Sequence, residues 1–288
     1  MIPQAFEYHA PKSFAEAASL LSELGDECKI LAGGHSLLPT LKLRLAQPRS
    51  LIDLTRLSEL KYIRESDNKI EIGALTTHFQ IESSDLLKTK CPLLPETARE
   101  IGDVQVRNRG TLGGSLAHSD PAADWPAAIL ALDAEIEARS ASGSRSIAAT
   151  DFFVDLLTTA LRSDDILAAV RIPVPEPQTG WAYVKLHHPA SGYATVGAAA
   201  VIRLGESGAV EHVRVGITGV GPKAYRAMKV EEAVKGKSAK ALEAAAAYAV
   251  DGVDVNADLY ASAEYRSHLA QVYTLRALEK ALERARGK

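Results

Sequence analysis

Two short glycine-containing segments constrain the fold of this chain most. The first is Ala32-Gly33-Gly34-His35-Ser36 and the second is Thr111-Leu112-Gly113-Gly114-Ser115, and each lies between a short apolar stretch and a helical pattern. Because glycine has no Cβ and tolerates positive φ, its backbone can approach a diphosphate and direct N–H groups at the anionic oxygens. One Gly-Gly pair would equally fit a tight turn. Two pairs, with Asp124 nine residues after the second segment, predict a dinucleotide held between separate parts of the chain.

Composition excludes several classes of protein. With 288 residues, of which 47% are apolar, the chain can bury a sizeable core and form two domains. The 33 basic residues nearly balance the 36 acidic residues and aromatic residues make up 6%, so we expect no nucleic-acid partner. We find no signal-peptide pattern and no apolar stretch of membrane-spanning length, which predicts a cytoplasmic protein without a transmembrane segment.

The two cysteines, Cys28 and Cys91, are far apart in the sequence. They form no Cys-x-x-Cys motif, so this chain's own thiols can build neither a disulfide framework nor an iron–sulfur or zinc site. The adjacent pair His187-His188 is not a candidate metal site, because neighbouring residues on a strand point to opposite faces. We therefore assign no metal ligand in this chain and expect any redox metal in another chain.

The N-terminal part of the sequence predicts alternating helices and strands. Ser13-Phe14-Ala15-Glu16 is typical of a capping box that opens a helix ending at Gly25. Asp120-Pro121 predicts the N-cap and first position of a helix that continues to Leu132. The other helical patterns cover 37–45 and 92–101. Strand patterns cover 29–32, 50–54, 62–65, 69–73, 134–139, 144–148 and 166–172.

A proline-rich segment, residues 173–180, divides the sequence. Its three prolines cannot continue a sheet interior, so the segment predicts a semi-rigid linker between two domains. Beyond it we predict three strands, at 181–187, 194–204 and 209–218, and helices near 228–234, 239–250 and 262–286. The sequence therefore predicts an α+β fold with a smaller second domain.

A serine hydrolase is one alternative. Gly34-His35-Ser36 partly matches a nucleophile elbow, although Leu38 replaces the glycine that the motif requires after the serine. In that hypothesis Ser36 or Ser115 would be the nucleophile, with His118 and Asp124 completing a triad.

Three segments resemble a known family. The segments are residues 2–13 (IPQAFEYHAPKS), 32–48 (AGGHSLLPTLKLRLAQP) and 106–128 (VRNRGTLGGSLAHSDPAADWPAA). They closely resemble the FAD-binding medium subunits of the molybdenum hydroxylases, which form the xanthine oxidase superfamily. The resemblance is strongest to the medium subunits of aerobic carbon monoxide dehydrogenases. The resemblance implies a two-lobed FAD-binding domain of the vanillyl-alcohol oxidase type at residues 1–176, with the lobes meeting near residues 55–60. It implies a C-terminal domain at residues 177–288, with a three-stranded antiparallel sheet and a helical bundle.

The resemblance also implies a set of residues that contact FAD. The first segment with Leu37 and Leu38, and the second segment, would hold the diphosphate and adjoining atoms. Many relatives have Asn where this chain has Ser115, whose hydroxyl still donates and accepts. Asp124 would bind sugar or ribityl hydroxyls, Leu161 would contact the adenine or flavin region through its backbone, Lys185 would approach the flavin ring and Tyr193 would lie against the ring face. The expected contacts are Ala32, Gly33, Gly34, His35, Ser36, Leu37, Leu38, Thr111, Gly113, Gly114, Ser115, Asp124, Leu161, Lys185 and Tyr193.

The function that the resemblance implies is electron transfer. Substrate would be oxidised at molybdopterin in a large subunit, electrons would pass through two [2Fe–2S] clusters in a small subunit, and FAD in this chain would deliver them to an external acceptor. No catalytic residue is assigned here. The implied assembly is a dimer of heterotrimers, cytoplasmic or peripheral at the inner face of the membrane. A self-sufficient flavin oxidase of the vanillyl-alcohol oxidase type is the remaining alternative.

Overall fold

A small parallel sheet begins the chain in the computed structural model, which describes residues 2–287. Its strand order is β1-β3-β2, and we refer to residues 7–53 as the first lobe. One of the two hydrogen bonds of the predicted capping box is present, because Glu16 N–H donates to the Ser13 hydroxyl. The other is missing, because the Glu16 carboxylate accepts from Lys12 N–H instead of Ser13 N–H. The elements are β1 (Glu7–His9), α1 (Phe14–Leu24), β2 (Cys28–Leu31), α2 (Leu37–Lys42) and β3 (Ser50–Asp53).

The second lobe, residues 63–173, contains a five-stranded antiparallel sheet. Its order is β4-β5-β10-β6-β7, so the last strand in sequence lies in the centre. A 3₁₀ turn at Ser58–Leu60 precedes it. The strands of this sheet are β4 (Ile63–Ser66), β5 (Lys69–Gly73), β6 (Glu135–Ser140), β7 (Gly143–Ala148) and β10 (Ile166–Pro173). Strands β8 (Phe153–Asp155) and β9 (Thr158–Thr159) pair separately with each other. The helices are α3 (His78–Ser83), α4 (Asp85–Lys90), α5 (Leu93–Arg99), α6 (Val104–Arg109), α7 (Leu112–His118), α8 (Asp124–Ala131) and α9 (Ala149–Phe152).

The C-terminal region is a four-stranded antiparallel sheet with helices packed against it. The sequence predicted three strands, and a two-residue fourth strand pairs with the third to give the order β11-β12-β13-β14. The strands are β11 (Thr179–His187), β12 (Ala194–Leu204), β13 (Val210–Thr218) and β14 (Tyr225–Arg226). The helices are α10 (Met228–Val234), α11 (Leu242–Ala246) and α12 (Ala263–Ala285). Among residues 2–287, no helix has both the length and the apolar character needed to cross a bilayer.

Three predicted helices are shorter than the sequence indicated. Helix α2 ends at Lys42 rather than residue 45, because Arg44 takes the left-handed conformation with φ 58°. The predicted helix 239–250 is reduced to a 3₁₀ turn at Ala239–Ala241 followed by α11. The predicted helix from Asp120 starts at Asp124, since the Asp120 carboxylate accepts from Ala122 N–H at 2.8 Å and holds a turn.

Strand β13 explains why the turn before α8 does not become helical. The Thr218 hydroxyl lies 2.8 Å from the carbonyls of both Pro121 and Ala123, and Gly219 N–H donates to Pro121 O at 2.7 Å. These contacts hold the turn at residues 120–123 against the C-terminal sheet, so its residues do not join the helix. All eight residues of α8 are consequently buried between the second lobe and that sheet.

Backbone contacts and ion pairs join the C-terminal region to the second lobe. A Cβ at Gly216 of β13 would lie 2.1 Å from Ala127 O of α8, so glycine is required for this close approach. On the other side, the Glu96 carboxylate of α5 pairs with Lys280 at 2.8 Å and Arg284 at 2.6 Å, both from α12. Strand β10 ends at Pro173 and β11 begins at Thr179, while the exact division at residues 176 and 177 stays a prediction.

We predict that Gly216→Ala lowers the free energy of unfolding by about 1–3 kcal/mol, because the added methyl group forces α8 and β13 apart. Urea denaturation of the full chain measures this change. Gly205→Ala is the matched control, since its nearest neighbouring atom would be 3.8 Å away. Equal stability of the two variants would contradict the close packing described for α8.

Candidate cofactor-binding cavity

A cavity of about 740 Å³ lies where the two lobes and the C-terminal sheet meet. Its volume falls within the roughly 300–1,000 Å³ typical of ligand and cofactor sites. Of the residues that the sequence predicted to contact a cofactor, Leu38 and Lys185 do not line it. The predicted residues that do are Ala32, Gly33, Gly34, His35, Ser36, Leu37, Thr111, Gly113, Gly114, Ser115, Asp124, Leu161 and Tyr193.

The first segment presents unused backbone donors. Among the described residues, the N–H groups of Gly33, Gly34, His35 and Ser36 donate to no acceptor of the chain. Gly34 has φ 79°, which turns the backbone sharply before α2 begins. Because backbone N–H groups in partly enclosed sites are normally hydrogen-bonded, four consecutive free donors indicate a site for an acceptor-rich ligand.

The second segment differs from the sequence-based expectation of a second cradle. Its amides are already used within the chain, since Leu112 N–H donates to Thr76 O at 3.0 Å and Gly113 N–H donates to Ala74 O at 2.9 Å. Gly114 N–H donates to the Thr111 hydroxyl at 3.1 Å and Ser115 N–H to Thr111 O at 3.0 Å. This segment is the capped first turn of α7 rather than a loop of free donors.

Glycines 33 and 113 allow two parts of the chain to approach each other. A Cβ at Gly33 would lie 2.2 Å from Arg109 O, and one at Gly113 would lie 2.5 Å from the Ala74 Cβ. The sequence analysis assigned both glycines to close approach of a ligand. The structure shows that they are also required for packing, because the first segment rests directly on the backbone that precedes the second.

Asp124 is the buried acid at the edge of the cavity. Its side chain is 5% exposed and forms a 2.9 Å ion pair with Lys185 Nζ, whose side chain is fully buried. The Tyr183 hydroxyl also donates to the Asp124 carboxylate, and Lys185 donates further to Glu100 O at 2.8 Å. Burial raises the pKa of the Asp124 carboxyl and of the Tyr183 hydroxyl.

Lys185 thus lies behind Asp124 and not on the cavity wall. The sequence-based expectation placed its ammonium beside a flavin ring. In the structure a desolvated lysine reaches its nearest carboxylate and a carbonyl instead, because a buried ammonium requires a full set of acceptors. Leu38 is likewise turned away from the cavity, and its side chain packs near Gly34.

Leu161 and Tyr193 line the cavity from different parts of the chain. Leu161 N–H donates to the Thr159 hydroxyl at 3.3 Å, so this backbone donor is already used within the chain. Tyr193 follows Gly192, which has φ 72°, in the turn between β11 and β12. The Tyr193 side chain is 40% exposed, and partial burial raises the pKa of its hydroxyl.

Sequence analysis missed several polar residues of the wall, among them His78 and Asp165. His78 Nδ1 lies 3.0 Å from Trp125 Nε1, and burial lowers the pKa of its imidazole to about 3. Asp165 accepts from Arg145 Nη2 at 2.5 Å and from Arg162 N–H at 2.8 Å. Neither belongs to a glycine segment, so no local motif distinguishes it in the sequence.

The geometry does not support the hydrolase alternative. Both partners of the Asp124 carboxylate, Tyr183 and Lys185, come from β11. Within residues 2–287 no hydrogen bond joins His118 to Asp124, so the acid does not orient this imidazole as a triad requires.

The chain is similar to known proteins along almost its whole length. The family described as "FAD binding domain in molybdopterin dehydrogenase" matches residues 4–175, and "CO dehydrogenase flavoprotein C-terminal domain" matches residues 181–281. The carbon monoxide dehydrogenase medium chain of Hydrogenophaga pseudoflava is 42% identical over 99% of both chains. The 6-hydroxypseudooxynicotine dehydrogenase complex subunit alpha of Paenarthrobacter nicotinovorans is 37% identical over 99% of this chain and 97% of that protein.

The fold also matches solved structures. A chain of carbon monoxide dehydrogenase from Hydrogenophaga pseudoflava, in a form that lacks the Mo-pyranopterin moiety, superposes with a TM-score of 0.95 at 43% identity over 99% of each chain. The α+β class predicted from the sequence is therefore confirmed.

We predict that Lys185→Met lowers the free energy of unfolding by about 3–5 kcal/mol at neutral pH, because it leaves Asp124 as an uncompensated buried charge. Without Lys185 the pKa of Asp124 in the folded state rises further. The folded variant therefore keeps a proton on Asp124 at pH values where the unfolded chain has already released it. The loss of stability should therefore grow as the pH rises from about 5 to about 8. Denaturant titrations at several pH values measure it.

The double variant Asp124→Asn with Lys185→Met is the control. It removes both charges and should recover part of the lost stability, with no added dependence on pH. A single variant as stable as the unmodified chain at every pH would contradict the buried pair.

Proposed function

The chain belongs to the family of FAD-binding medium subunits of the molybdenum hydroxylases, and from this membership we propose that FAD binds in the cavity between the lobes and the C-terminal sheet. The observation that carries the proposal is the row of four free N–H groups at Gly33–Ser36. A diphosphate is the part of FAD with the highest density of acceptors, and it fits donors of this kind. The chain's function is to carry FAD as the electron-transfer subunit of such an enzyme.

Different residues of the cavity wall would contact different parts of FAD. The backbone donors of the first segment would hold the diphosphate, and Thr111 and Ser115 line the cavity next to that segment. Leu161 provides apolar surface for a planar ring. Asp124 would accept from sugar or ribityl hydroxyls, and Tyr183 and Lys185 hold its carboxylate in place from behind.

When bound, FAD accepts electrons and passes them singly or in pairs to an acceptor. The residues of this chain position it and control its access to water. Tyr193, carried on the turn between β11 and β12, would cover one face of the ring system, which ties flavin exposure to the C-terminal region. Lys185 would act on the flavin through Asp124 rather than by direct contact, since its ammonium is enclosed.

The chain requires partners for electron entry. Cys28 and Cys91 are buried in different hydrophobic clusters, and neither is placed to bind a cluster with the other. In the proposed assembly a small subunit with two [2Fe–2S] clusters passes electrons to FAD, and a large molybdopterin subunit oxidises the substrate. We propose a dimer of heterotrimers, cytoplasmic or peripheral at the inner membrane face, with carbon monoxide as the substrate of the large subunit.

The backbone site generates a prediction for FAD affinity. Gly34→Ala should weaken FAD binding by about tenfold or more, because a strained φ reorients the free N–H groups and each lost charge-assisted hydrogen bond costs about 1.5–3 kcal/mol. Equilibrium dialysis of FAD against the assembled complex measures the affinity. Gly236→Ala is the matched control, since its φ of 75° is close to the 79° of Gly34 and open space surrounds it. The hypothesis fails if both variants retain FAD equally well.

The second prediction concerns the substrate. The complex isolated with its native partner subunits should oxidise carbon monoxide and reduce an added acceptor, for which quinone, cytochrome, NAD and oxygen are to be compared. The purified chain supplied with FAD should show no turnover. Activity toward an organic substrate but not carbon monoxide would reject the substrate assignment and leave the subunit assignment standing. Turnover by the purified chain alone would instead favour a self-sufficient flavin oxidase.

A further inference from the structure

We propose that His78 is a positioning residue for the cofactor. Its Nε2–H donates a hydrogen bond to the diphosphate of FAD. The inference rests on the proposed FAD site and extends it to a residue outside both glycine segments. Three observations carry it: the proton position on the ring, the unused nitrogen and its place beside the two segments. The neutral state of the imidazole agrees with them.

Trp125 determines the tautomer of His78. An indole Nε1–H can only donate, so His78 Nδ1, 3.0 Å away, must accept with its lone pair. The proton of the neutral ring is therefore on Nε2. Trp125 is fully buried in α8 and His78 is 4% exposed, so this arrangement is shielded from competing water.

The backbone fixes where the ring points. His78 is the first residue of α3, whose start is held by a complete capping box between Thr77 and Gln80. His78 N–H donates to Gly110 O at 3.0 Å, which ties this helix to the residue before the second glycine segment. The ring thus has little freedom to rotate away from the cavity that it lines.

His78 Nε2 has no acceptor within the described part of the chain. A Cβ at Gly110 would lie 2.6 Å from this nitrogen, so Gly110 is the residue that leaves room around it. The residue as a whole is 4% exposed and lines the cavity, so only a ligand or water in the cavity can accept from this donor. Its position on the cavity wall identifies the ligand as the source of that acceptor.

The neighbouring segments point to the diphosphate as the acceptor. Gly110 packs against Gly33, where a Cβ would approach the Gly110 Cα to 2.8 Å, so His78 lies beside the first segment and its free donors. The amides of residues 112–115 are already used within the chain. On this side of the cavity, His78 Nε2 supplies the donor that the second segment does not.

The imidazole of His78 stays neutral at ordinary pH. Burial lowers the pKa of His78 to about 3, and the neighbouring His35 and Arg107 side chains act in the same direction. A neutral N–H provides a hydrogen bond to the diphosphate without adding a charge that would change with pH. FAD affinity should therefore show no step attributable to His78 at ordinary pH.

The test compares three variants in the assembled complex. His78→Phe keeps the ring volume but removes Nε2, and should weaken binding of both FAD and ADP by about 10- to 100-fold, as expected for a hydrogen bond to a charged group. Riboflavin, which has no phosphate, should bind the variant and the unmodified protein equally. His78→Gln can still accept from Trp125 and donate into the cavity, and should restore part of the affinity. Trp125→Phe removes the constraint on the tautomer and should give an intermediate loss.

Phosphorus NMR of bound FAD provides a readout that a purely structural role would not change. The diphosphate resonances should shift in His78→Phe and move back toward the unmodified values in His78→Gln. Nitrogen NMR of the unmodified protein should show the proton on Nε2 and needs no substitution. Unchanged phosphorus resonances and equal FAD and ADP affinities in folded His78→Phe would overturn the inference, as would a proton on Nδ1. Failure of the unmodified complex to bind FAD would instead reject the proposed function.

Discussion

The structure depends on how the buried carboxylate of Asp124 is compensated. Its burial at the start of α8 would be unfavourable without nearby donors, and both donors, Tyr183 and Lys185, belong to β11 of the C-terminal region. Helix α8 therefore cannot be buried in the second lobe unless the C-terminal sheet packs against it. The approach of Gly216 to Ala127 O and the pairing of Glu96 with α12 reinforce the same contact.

This arrangement makes the cavity a property of the whole chain. The first lobe supplies free backbone donors, the second lobe supplies Asp124 and His78, and the C-terminal region supplies Tyr193 and the support behind Asp124. Binding that requires all three parts would oppose their separation, so cofactor affinity and the docking of the C-terminal sheet are thermodynamically linked. Partner subunits that contact any of these parts would change FAD affinity without touching FAD.

Local chemistry in the sequence predicted α1, β2 and β3 of the first lobe, the strands of the five-stranded sheet and the glycine segment at residues 32–36, because glycine pairs and alternating strands leave short-range signals. It did not predict that the backbone N–H groups of the similar segment at 111–115 donate to Thr76, Ala74 and Thr111. Thr76 and Ala74 lie about forty residues before the amides that they accept from, and only the tertiary fold brings them together. The same holds for the enclosure of Lys185 and for the contact of His78 with Trp125, which depend on packing between distant elements.

The central claim is that the N–H groups of Gly33–Ser36 bind the cofactor, and residue-resolved amide hydrogen exchange tests it most directly. The chain in its complex is compared with and without FAD. We expect the amides of Gly33, Gly34, His35 and Ser36 to exchange rapidly without FAD and to become strongly protected when it binds, while Leu112–Ser115 stay protected throughout. Rapid exchange of the four amides in the FAD-loaded complex would contradict this account of the site.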